Sequence, residues 1–167
     1  MKRTVHQTDR EQQDGIVLDM ARYVPALLIH ISNKMSNGAN ATYRRLFGVG
    51  VTEWRVLSQL AIEPHIPAQR ICEVIGFDKA IVSRVVRSLQ DLGHVRVSAD
   101  GADNRRHRIS LTTKGRQLHD RIIRVALERE RRLLSDLTAR EVDQLCDLLS
   151  RLHAKVQLAN DYNPAKD

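Results

Sequence analysis

The chain has 167 residues, of which 42% are hydrophobic, and it carries a formal net charge of +7 with a pI of about 9.9. This length favours a single domain, alone or with an extended oligomerisation part, and the charge favours a polyanionic partner, either nucleic acid or an anionic membrane. With one Trp, three Tyr and two Phe, the chain lacks the exposed aromatic platform that binds single-stranded nucleic acid.

The amino-terminal part of the chain predicts a flexible segment followed by a helix. Residues 1–15 are polar and lack the apolar core of a secretion signal, and no apolar run approaches the ~18 residues of a membrane span, so we expect a cytoplasmic protein. Residues 16–47 repeat apolar side chains at three- and four-residue steps, which indicates an amphipathic helix. Pro25 either kinks this helix or marks the first turn of its main part.

The next elements have the spacing of a helix-turn-helix. Thr52 is a candidate N-cap for a helix over residues 53–62, and a proline-containing break follows it. Two short helices are then predicted at residues 68–75 and 79–92. Gly76 can end the first of them in a left-handed conformation, and Asp78 can cap the second.

After Gly93 the apolar pattern changes from a helical period to strict alternation. Residues 94–98 and 108–111 alternate, and the turn-forming residues 99–104 lie between them. This pattern predicts a two-stranded hairpin, which is the wing of a winged helix.

Two helices are predicted after the hairpin, at residues 113–134 and 139–156, and Thr138 with Glu141 forms a capping box that opens the second. Cys72 and Cys146 are too few for a disulfide framework. We expect both cysteines to be buried small apolar residues, and redox sensing is the alternative.

The helices outside the winged helix carry apolar stripes that need a partner surface. They could fold onto the chain's own core, but helices that flank a DNA-binding centre pack more naturally against a second copy, since duplex operators are often two-fold symmetric. We therefore expect dimerisation through the two ends of the chain. The predicted divisions are a flexible amino terminus (1–15), an amino-terminal dimerisation helix (16–47), a DNA-binding domain (48–112), carboxy-terminal dimerisation helices (113–158) and a flexible tail (159–167).

Positive charge is concentrated in residues 78–116, which contain nine Lys or Arg against four Asp, a balance of +5. A basic helix beside a basic hairpin is suited to double-stranded DNA. Arg84 and Arg87 share a face of the predicted recognition helix, and each either pairs with guanine or binds a phosphate. Ser83 can contact a base or a phosphate, and Lys79 is placed for a phosphate.

Five segments of the chain, in their order and spacing, resemble the MarR family of bacterial transcription factors. The segments are VTEWRVL (51–57), ICEVIG (71–76), VSRVVRSLQDLGHV (82–95), DNR (103–105) and ISLTTKG (109–115). The resemblance covers residues 16–156. It implies a mainly α fold with a small β-wing, in which a winged helix-turn-helix is part of an intertwined helical dimer. It also implies binding to a palindromic promoter site, usually as a repressor, and release by a small aromatic or phenolic ligand.

The resemblance assigns the wing residues. It implies that Arg105 reads the minor groove or the backbone, and the carboxylate of Asp103 can hold the Arg105 guanidinium in a fixed pose. Arg106 and Arg108 either add phosphate contacts or are ordinary surface charges. Asn104 and Arg106 depart from the residue types common around this motif, which affects the detailed contacts and not the wing itself.

The resemblance also implies a ligand pocket between the dimer base and the DNA-reading part, near Tyr23, His30, Trp54 and Arg55. Trp54 could stack on an aromatic ring, and Arg55 or His30 could pair with a carboxylate. The alternative is that Trp54 belongs to the core and that Arg55 is a surface residue.

The sequence also bears on functions other than DNA binding. An enzyme is not expected, since the chain shows neither the clustered carboxylates of a nuclease nor an HExxH metal site, and we expect no cofactor and no bound metal. A regulator that responds to metal or oxidant, a ligand-independent DNA-binding protein and a winged helix that binds protein remain as alternatives. The resemblance implies that peroxide sensors of the family carry a cysteine near the start of the first helix; this chain has none there, which disfavours peroxide sensing.

Overall fold

The computed structural model describes residues 17–100 and 103–165, with the backbone only at residues 100 and 103–106. These residues form two compact units, separated between Gly38 and Ala39. The elements in chain order are α1 (Val24–Phe47), α2 (Val51–Ile62), α3 (Ala68–Ile75), α4 (Lys79–Asp91), β1 (Val95–Asp100), β2 (Asp103–Leu111), α5 (Thr113–Leu133), α6 (Ala139–His153) and α7 (Val156–Asn160).

The first unit contains the start of α1. The predicted helix over residues 16–47 begins only at Val24, because a turn precedes it in which the Tyr23 amide donates to the Asp19 carbonyl at 2.9 Å. Pro25 therefore stands in the first helical turn, where its missing N–H removes no helical hydrogen bond. Apolar side chains of this unit are exposed to solvent, among them Leu27, Leu28, Ile31 and Met35.

Helix α2 begins differently from the prediction. Its N-cap is Gly50 and not Thr52, which lies inside the helix. The Val51 amide donates to Asn40 Oδ1 at 3.2 Å, and the Gly50 amide donates to Glu53 Oε2 at 3.0 Å. A side chain from α1, eleven positions away, thus supplies an acceptor that local sequence reasoning assigned to a threonine.

The helix-turn-helix follows the prediction closely. Gly76 ends α3 in the left-handed region at φ +69°, and its amide donates to the Cys72 carbonyl at 2.9 Å. Asp78 caps α4, because its Oδ1 accepts from the Ile81 amide at 2.8 Å. Helix α4 ends at Asp91, one residue before the predicted end.

Strands β1 and β2 pair antiparallel and form the predicted wing, with Val95 opposite Leu111 and Val97 opposite Ile109. The register is irregular between Ala99 and Asp100, and residues 101–102 at the predicted turn lie outside the described part. Ile66 adds an isolated bridge to Ile109, whose amide donates to the Ile66 carbonyl at 2.9 Å. The sequence predicted only a proline-containing break between two helices at residue 66, and no strand pairing.

One hydrophobic core lies in the second unit, between α2, α3, α4, the wing and α5. Its largest fully buried side chains are Leu57, Leu60, Ile71, Leu89, Ile122, Val56 and Val82. This core fixes one face of α4 and leaves the other exposed.

The helices after the wing differ sharply in burial. Helix α5 buries Leu118, His119 and Ile122, whereas α6 has no buried residue. The predicted capping box is present, since the Glu141 amide donates to Thr138 Oγ1 at 3.3 Å and the Thr138 amide donates to Glu141 Oε2 at 2.8 Å. The predicted helix over residues 139–156 is divided, since α6 ends at His153 and a short α7 follows.

The two cysteines have different environments. Cys72 is partly buried against the core, but Cys146 on α6 is exposed, so the expectation that both are buried was wrong for Cys146. In the part of the chain that the structure describes, no helix is long and apolar enough to cross a membrane.

Candidate nucleic-acid interface

Helix α4 has one buried face and one polar face. Val82, Val85, Val86 and Leu89 pack into the core, at the three- and four-residue spacing of a helix side. The predicted DNA-reading residues Ser83, Arg84 and Arg87 are all exposed on the remaining surface. The structure therefore brings these three side chains together on the solvent side of α4.

The two arginines of α4 have their donors available. Neither Arg84 nor Arg87 forms an ion pair with another described residue, and a guanidinium in this state can donate to guanine or to a phosphate. Lys79 is exposed in the first turn of α4, where the partial positive charge of the helix end adds to its own charge.

The structure describes only some of the wing residues predicted to bind DNA. The backbones of Asp103, Arg105 and Arg106 lie in β2, but their side chains lie outside the described part. Arg108 is exposed, and its Nη1 donates to the His65 carbonyl at 3.0 Å. Arg108 thus joins β2 to the loop between α2 and α3, a local role that the sequence did not indicate.

Hydrogen bonds join the end of α4 to the base of the wing and the start of α5. Thr112 Oγ1 donates to the Gly93 carbonyl at 2.7 Å, and the Thr112 amide donates to the His94 carbonyl at 3.0 Å. Lys114 Nζ donates to the Leu92 carbonyl at 2.8 Å. We call these contacts the wing clasp; they hold α4 and the wing base in one arrangement.

Gly115 completes the wing clasp. Its amide donates to Thr112 Oγ1 at 3.0 Å, and a Cβ at this position would collide with the His94 carbonyl oxygen. Helix α5 can therefore approach this carbonyl only with glycine here. From the sequence, Thr112 and Gly115 were identified only as part of the family motif ISLTTKG. Their fixed spacing in that motif was the one feature that could have indicated the contact with His94.

His94, whose backbone carbonyl accepts in the wing clasp, has a titratable side chain with a shifted pKa. Burial lowers the pKa of the His94 imidazole, and the Lys114 ammonium lowers it further. Its Nδ1 atom is buried without a hydrogen-bond partner among the described residues. The surroundings therefore favour the neutral imidazole.

Trp54, one of the predicted ligand residues, is partly buried against the core of the second unit. Its ring stacks on the His119 imidazole at 5.3 Å between centroids and 23° between planes, and Tyr43 meets it edge-on at 6.1 Å. His119 Nδ1 lies 2.9 Å from Asp120 Oδ1. Sequence reasoning missed Tyr43 and His119, because the stacking joins three different helices.

Arg55 follows Trp54 directly in the chain but contacts a different ring. The Arg55 guanidinium carbon stands 5.4 Å from the centre of the Phe77 ring, in a cation–π contact. Tyr23 and His30 belong to the first unit and are exposed. Across residues 17–100 and 103–165, no group of three or more His, Cys, Asp or Glu is placed to hold a metal ion.

Comparison with known proteins gives a consistent result. The model of the MarR family matches residues 47–106. A MarR/EmrR family transcriptional regulator from Acinetobacter sp. ADP1 is 34% identical, with a TM-score of 0.79, and the match covers 84% of this chain and 99% of that one. No curated protein sequence matches the chain.

Two more distant structures share the fold. The PcaV transcriptional regulator from Streptomyces coelicolor, in complex with its natural ligand, is 22% identical over 84% of this chain and 98% of its own, with a TM-score of 0.71. MepR from S. aureus, in complex with DNA, is 23% identical over 80% of this chain and 97% of its own, with a TM-score of 0.72.

Proposed function

The chain belongs to the MarR family of transcriptional regulators, and on that premise we propose that it binds a palindromic promoter site as a homodimer, represses transcription there and is released by a small aromatic or phenolic ligand. It is a transcriptional regulator and not an enzyme. The observation that carries the DNA-binding role is the exposed face of α4 beside the wing, on which Ser83, Arg84 and Arg87 form no ion pair with another described residue.

In the proposed complex, α4 enters the major groove. Arg84 and Arg87 donate to guanine or to adjacent phosphates, and Lys79 binds a phosphate at the helix start. The wing reaches the flanking backbone or minor groove through Arg105, which Asp103 orients, while Arg106 and Arg108 add positive charge. The structure of MepR with DNA supports a DNA-binding role for this fold.

The proposed dimer uses the helices at both ends of the chain, in segments 16–47 and 113–158, and leaves residues 48–112 to bind DNA. Two observations support it. Helix α6 has no buried residue, and its leucines Leu145, Leu148, Leu149 and Leu152 are between 38% and 52% exposed. Helix α1 likewise exposes Leu27, Leu28 and Ile31 in the first unit. Such apolar surface exceeds what a monomer usually leaves in water.

The proposed ligand site involves Trp54 and Arg55, with Tyr23 and His30 as further candidates. The structure of PcaV with its natural ligand supports a ligand-responsive role for the fold. In this chain one face of Trp54 is stacked on His119, so an aromatic ligand either displaces His119 or takes the opposite face. A ligand that prefers a dimer spacing unmatched to the operator then shifts the population away from DNA.

The DNA-binding proposal is tested by selecting an operator from random duplexes and measuring its affinity for variants. Arg84→Ala and Arg87→Ala are expected to weaken binding by about 1–3 kcal/mol each where they contact a base, and Arg105→Ala is expected to weaken it strongly without loss of fold. Arg124→Ala, which removes an exposed arginine of α5, is the control. Affinities within twofold of the parent for all three test variants would contradict the proposal.

The ligand proposal is tested with Trp54, the single tryptophan of the chain, as the reporter. An aromatic acid that raises the melting temperature and releases the operator is expected to quench or shift Trp54 fluorescence. Release that leaves this fluorescence unchanged, and that persists in Trp54→Leu, would place the ligand elsewhere.

A further inference from the structure

A groove lies at the base of the wing, and neither Trp54 nor His119 is among its lining residues. It has a volume of about 350 Å³ and is lined by the end of α2, the loop that follows it, both wing strands and the first turn of α5. We call it the wing-base groove and define it by Leu60, Pro64, His65, Arg96, Thr113 and Arg116. Its size is within the range of sites that bind small molecules.

The wing-base groove carries two permanent positive charges. Arg96 is held from β1 by a hydrogen bond from its Nε to Ser110 Oγ at 2.9 Å, and Ser110 is only 3% exposed. This bond orients the Arg96 guanidinium and leaves its two terminal nitrogens as donors. The guanidinium of Arg116, from the first turn of α5, forms no hydrogen bond or ion pair with another described residue.

No carboxylate among the described residues lines the wing-base groove. The nearest acidic position along the lining segments is Glu63, and its side chain is used by other groups. Arg70 Nε donates to Glu63 Oε2 at 3.1 Å, and Gln59 Nε2 donates to the same oxygen at 3.1 Å. The two arginines therefore lack a counter-charge in the groove, and an anion would supply it.

The rest of the lining is apolar or offers hydroxyl groups. Leu60 is completely buried beneath the groove, and Pro64 and Leu111 stand beside it. Thr113 adds a hydroxyl, whereas the Thr112 hydroxyl is already engaged by the Gly93 carbonyl. A bare inorganic ion would leave this apolar surface in contact with water, so the lining favours an anion with an attached apolar group.

We propose that the wing-base groove binds a small oxyanion, a phosphate or carboxylate, that carries an apolar group. Arg96 and Arg116 hold the anionic group, and the apolar group lies over Pro64 and Leu111. This site is separate from the ligand site proposed at Trp54 and does not depend on it.

The test uses phenyl phosphate as the probe and isothermal titration calorimetry on the full chain. Inorganic phosphate carries only the anionic group, and phenol carries only the apolar ring. Each is expected to bind at least about tenfold more weakly than phenyl phosphate. Arg116→Gln and Arg96→Gln are each expected to weaken phenyl phosphate binding about tenfold or more. Arg124→Gln, which removes the same charge from an exposed position further along α5, should leave it within twofold.

The variants separate the possible outcomes. Arg116→Gln is the more informative substitution, because this side chain bonds to no described residue and its loss breaks no internal contact. Absence of phenyl phosphate binding at 10 mM, affinities unchanged in both test variants, or equal affinity for inorganic phosphate would each overturn the proposal. So would loss of phenyl phosphate binding in Trp54→Leu alone, which would place the probe at the aromatic rings.

DNA backbone phosphate is the other source of an oxyanion. If Arg116→Gln weakened operator binding and left phenyl phosphate binding intact, the groove would be a DNA contact and the proposal would be overturned. Operator affinity that stays within twofold in Arg116→Gln, together with the loss of phenyl phosphate binding, supports the small-molecule site. Neither result bears on the reading role proposed for α4.

Discussion

The winged-helix core and helix α6 both contain leucines at helical spacing, but the leucines are buried in the core and exposed on α6. In α2, Leu57 and Leu60 are completely buried against neighbouring helices, whereas in α6 the side chains of Leu145 and Leu149 are 38% and 41% exposed. Both helices show apolar residues at helical spacing. The comparison shows that periodicity predicts which face of a helix needs burial but not which surface covers it.

The two regions also differ in whether their apolar side chains are buried within the same chain. Residues of α2, α3, α4, the wing and α5 cover one another, so this region holds its own core. Helix α6 has an N-terminal capping box and an internal ion pair between Arg151 and Asp147, which stabilise it locally, but packing within the chain buries none of its residues. Burying a leucine contributes about 1.5–3 kcal/mol, so α6 has much to gain from a partner surface.

Breaking the apolar face of α6 should have the largest effect on function. Leu145→Glu/Leu149→Glu places two charges on one helix face and is expected to yield monomers at micromolar concentration. Because two linked reading units bind far more tightly than one, operator affinity should fall by about 10³-fold. Asp143→Lys, which changes the charge on the opposite side of α6, is the control, and sedimentation should find it unchanged. A dimer that survives the double substitution would remove α6 from the proposed interface.

Truncating the winged-helix core should instead lower stability within each chain. Leu60→Ala creates a cavity and is expected to cost about 2–5 kcal/mol in the free energy of unfolding. Ile62→Ala, two positions away on a side chain that is 79% exposed, should cost well under 1 kcal/mol. Urea unfolding measures both, and equal losses would mean that α2 is not packed as described.

The wing clasp should respond to a single methyl group. Gly115→Ala brings a Cβ against the His94 carbonyl and is expected to force α5 outward, at a cost of about 1–3 kcal/mol. The expected signature is faster amide exchange at Thr112, whose hydrogen bond to the His94 carbonyl the shift would lengthen. Gln117→Ala, exposed on α5, is the control. Unchanged exchange would show that α5 does not need glycine there.

The smallest effect is expected from the exposed end of α5. Hydrogen bonds from Arg131 and then Arg132 lower the pKa of the Glu128 carboxyl from 4.5 to about 2. A carboxyl with a lowered folded-state pKa adds stability that is present above pH 4.5 and is lost as the pH falls through about 2. Because the side chain is exposed, this stability is small and screened by salt.

Glu128→Gln tests this interpretation. The variant should melt slightly below the parent at pH 6, and the difference should disappear near pH 2 and in high salt. A difference that grew on acidification would have the wrong sign for this carboxyl. Direct titration of the Glu128 side chain by NMR gives the pKa independently.

Sequence reasoning succeeded where structure follows from neighbouring residues. The left-handed Gly76, the Asp78 cap and the alternating wing were all confirmed, since each depends on a few consecutive positions. It failed where the partner comes from elsewhere: Asn40 supplies the acceptor at the start of α2, and Ile66 joins the sheet through Ile109.

In the candidate site, too, local features were predicted and long-range contacts were missed. The exposed arginines of α4 followed from helical spacing, because the buried valines define the opposite face. The stacking of His119 on Trp54 joins positions 65 residues apart, and the Arg96–Ser110 hydrogen bond crosses the wing. Such contacts depend on strand register and helix packing, which a single sequence does not specify residue by residue.

The hydrogen bond from Lys114 to the Leu92 carbonyl has a mechanical consequence. Helix α5 has 21 residues and so extends roughly 30 Å at 1.5 Å per residue. If its near end is tethered to the last turn of α4, the helix acts as a lever arm, and a tilt of about 5° displaces its far end by about 2.6 Å. A small movement at the far end of α5 would then be transmitted to α4, the helix that we propose to bind DNA.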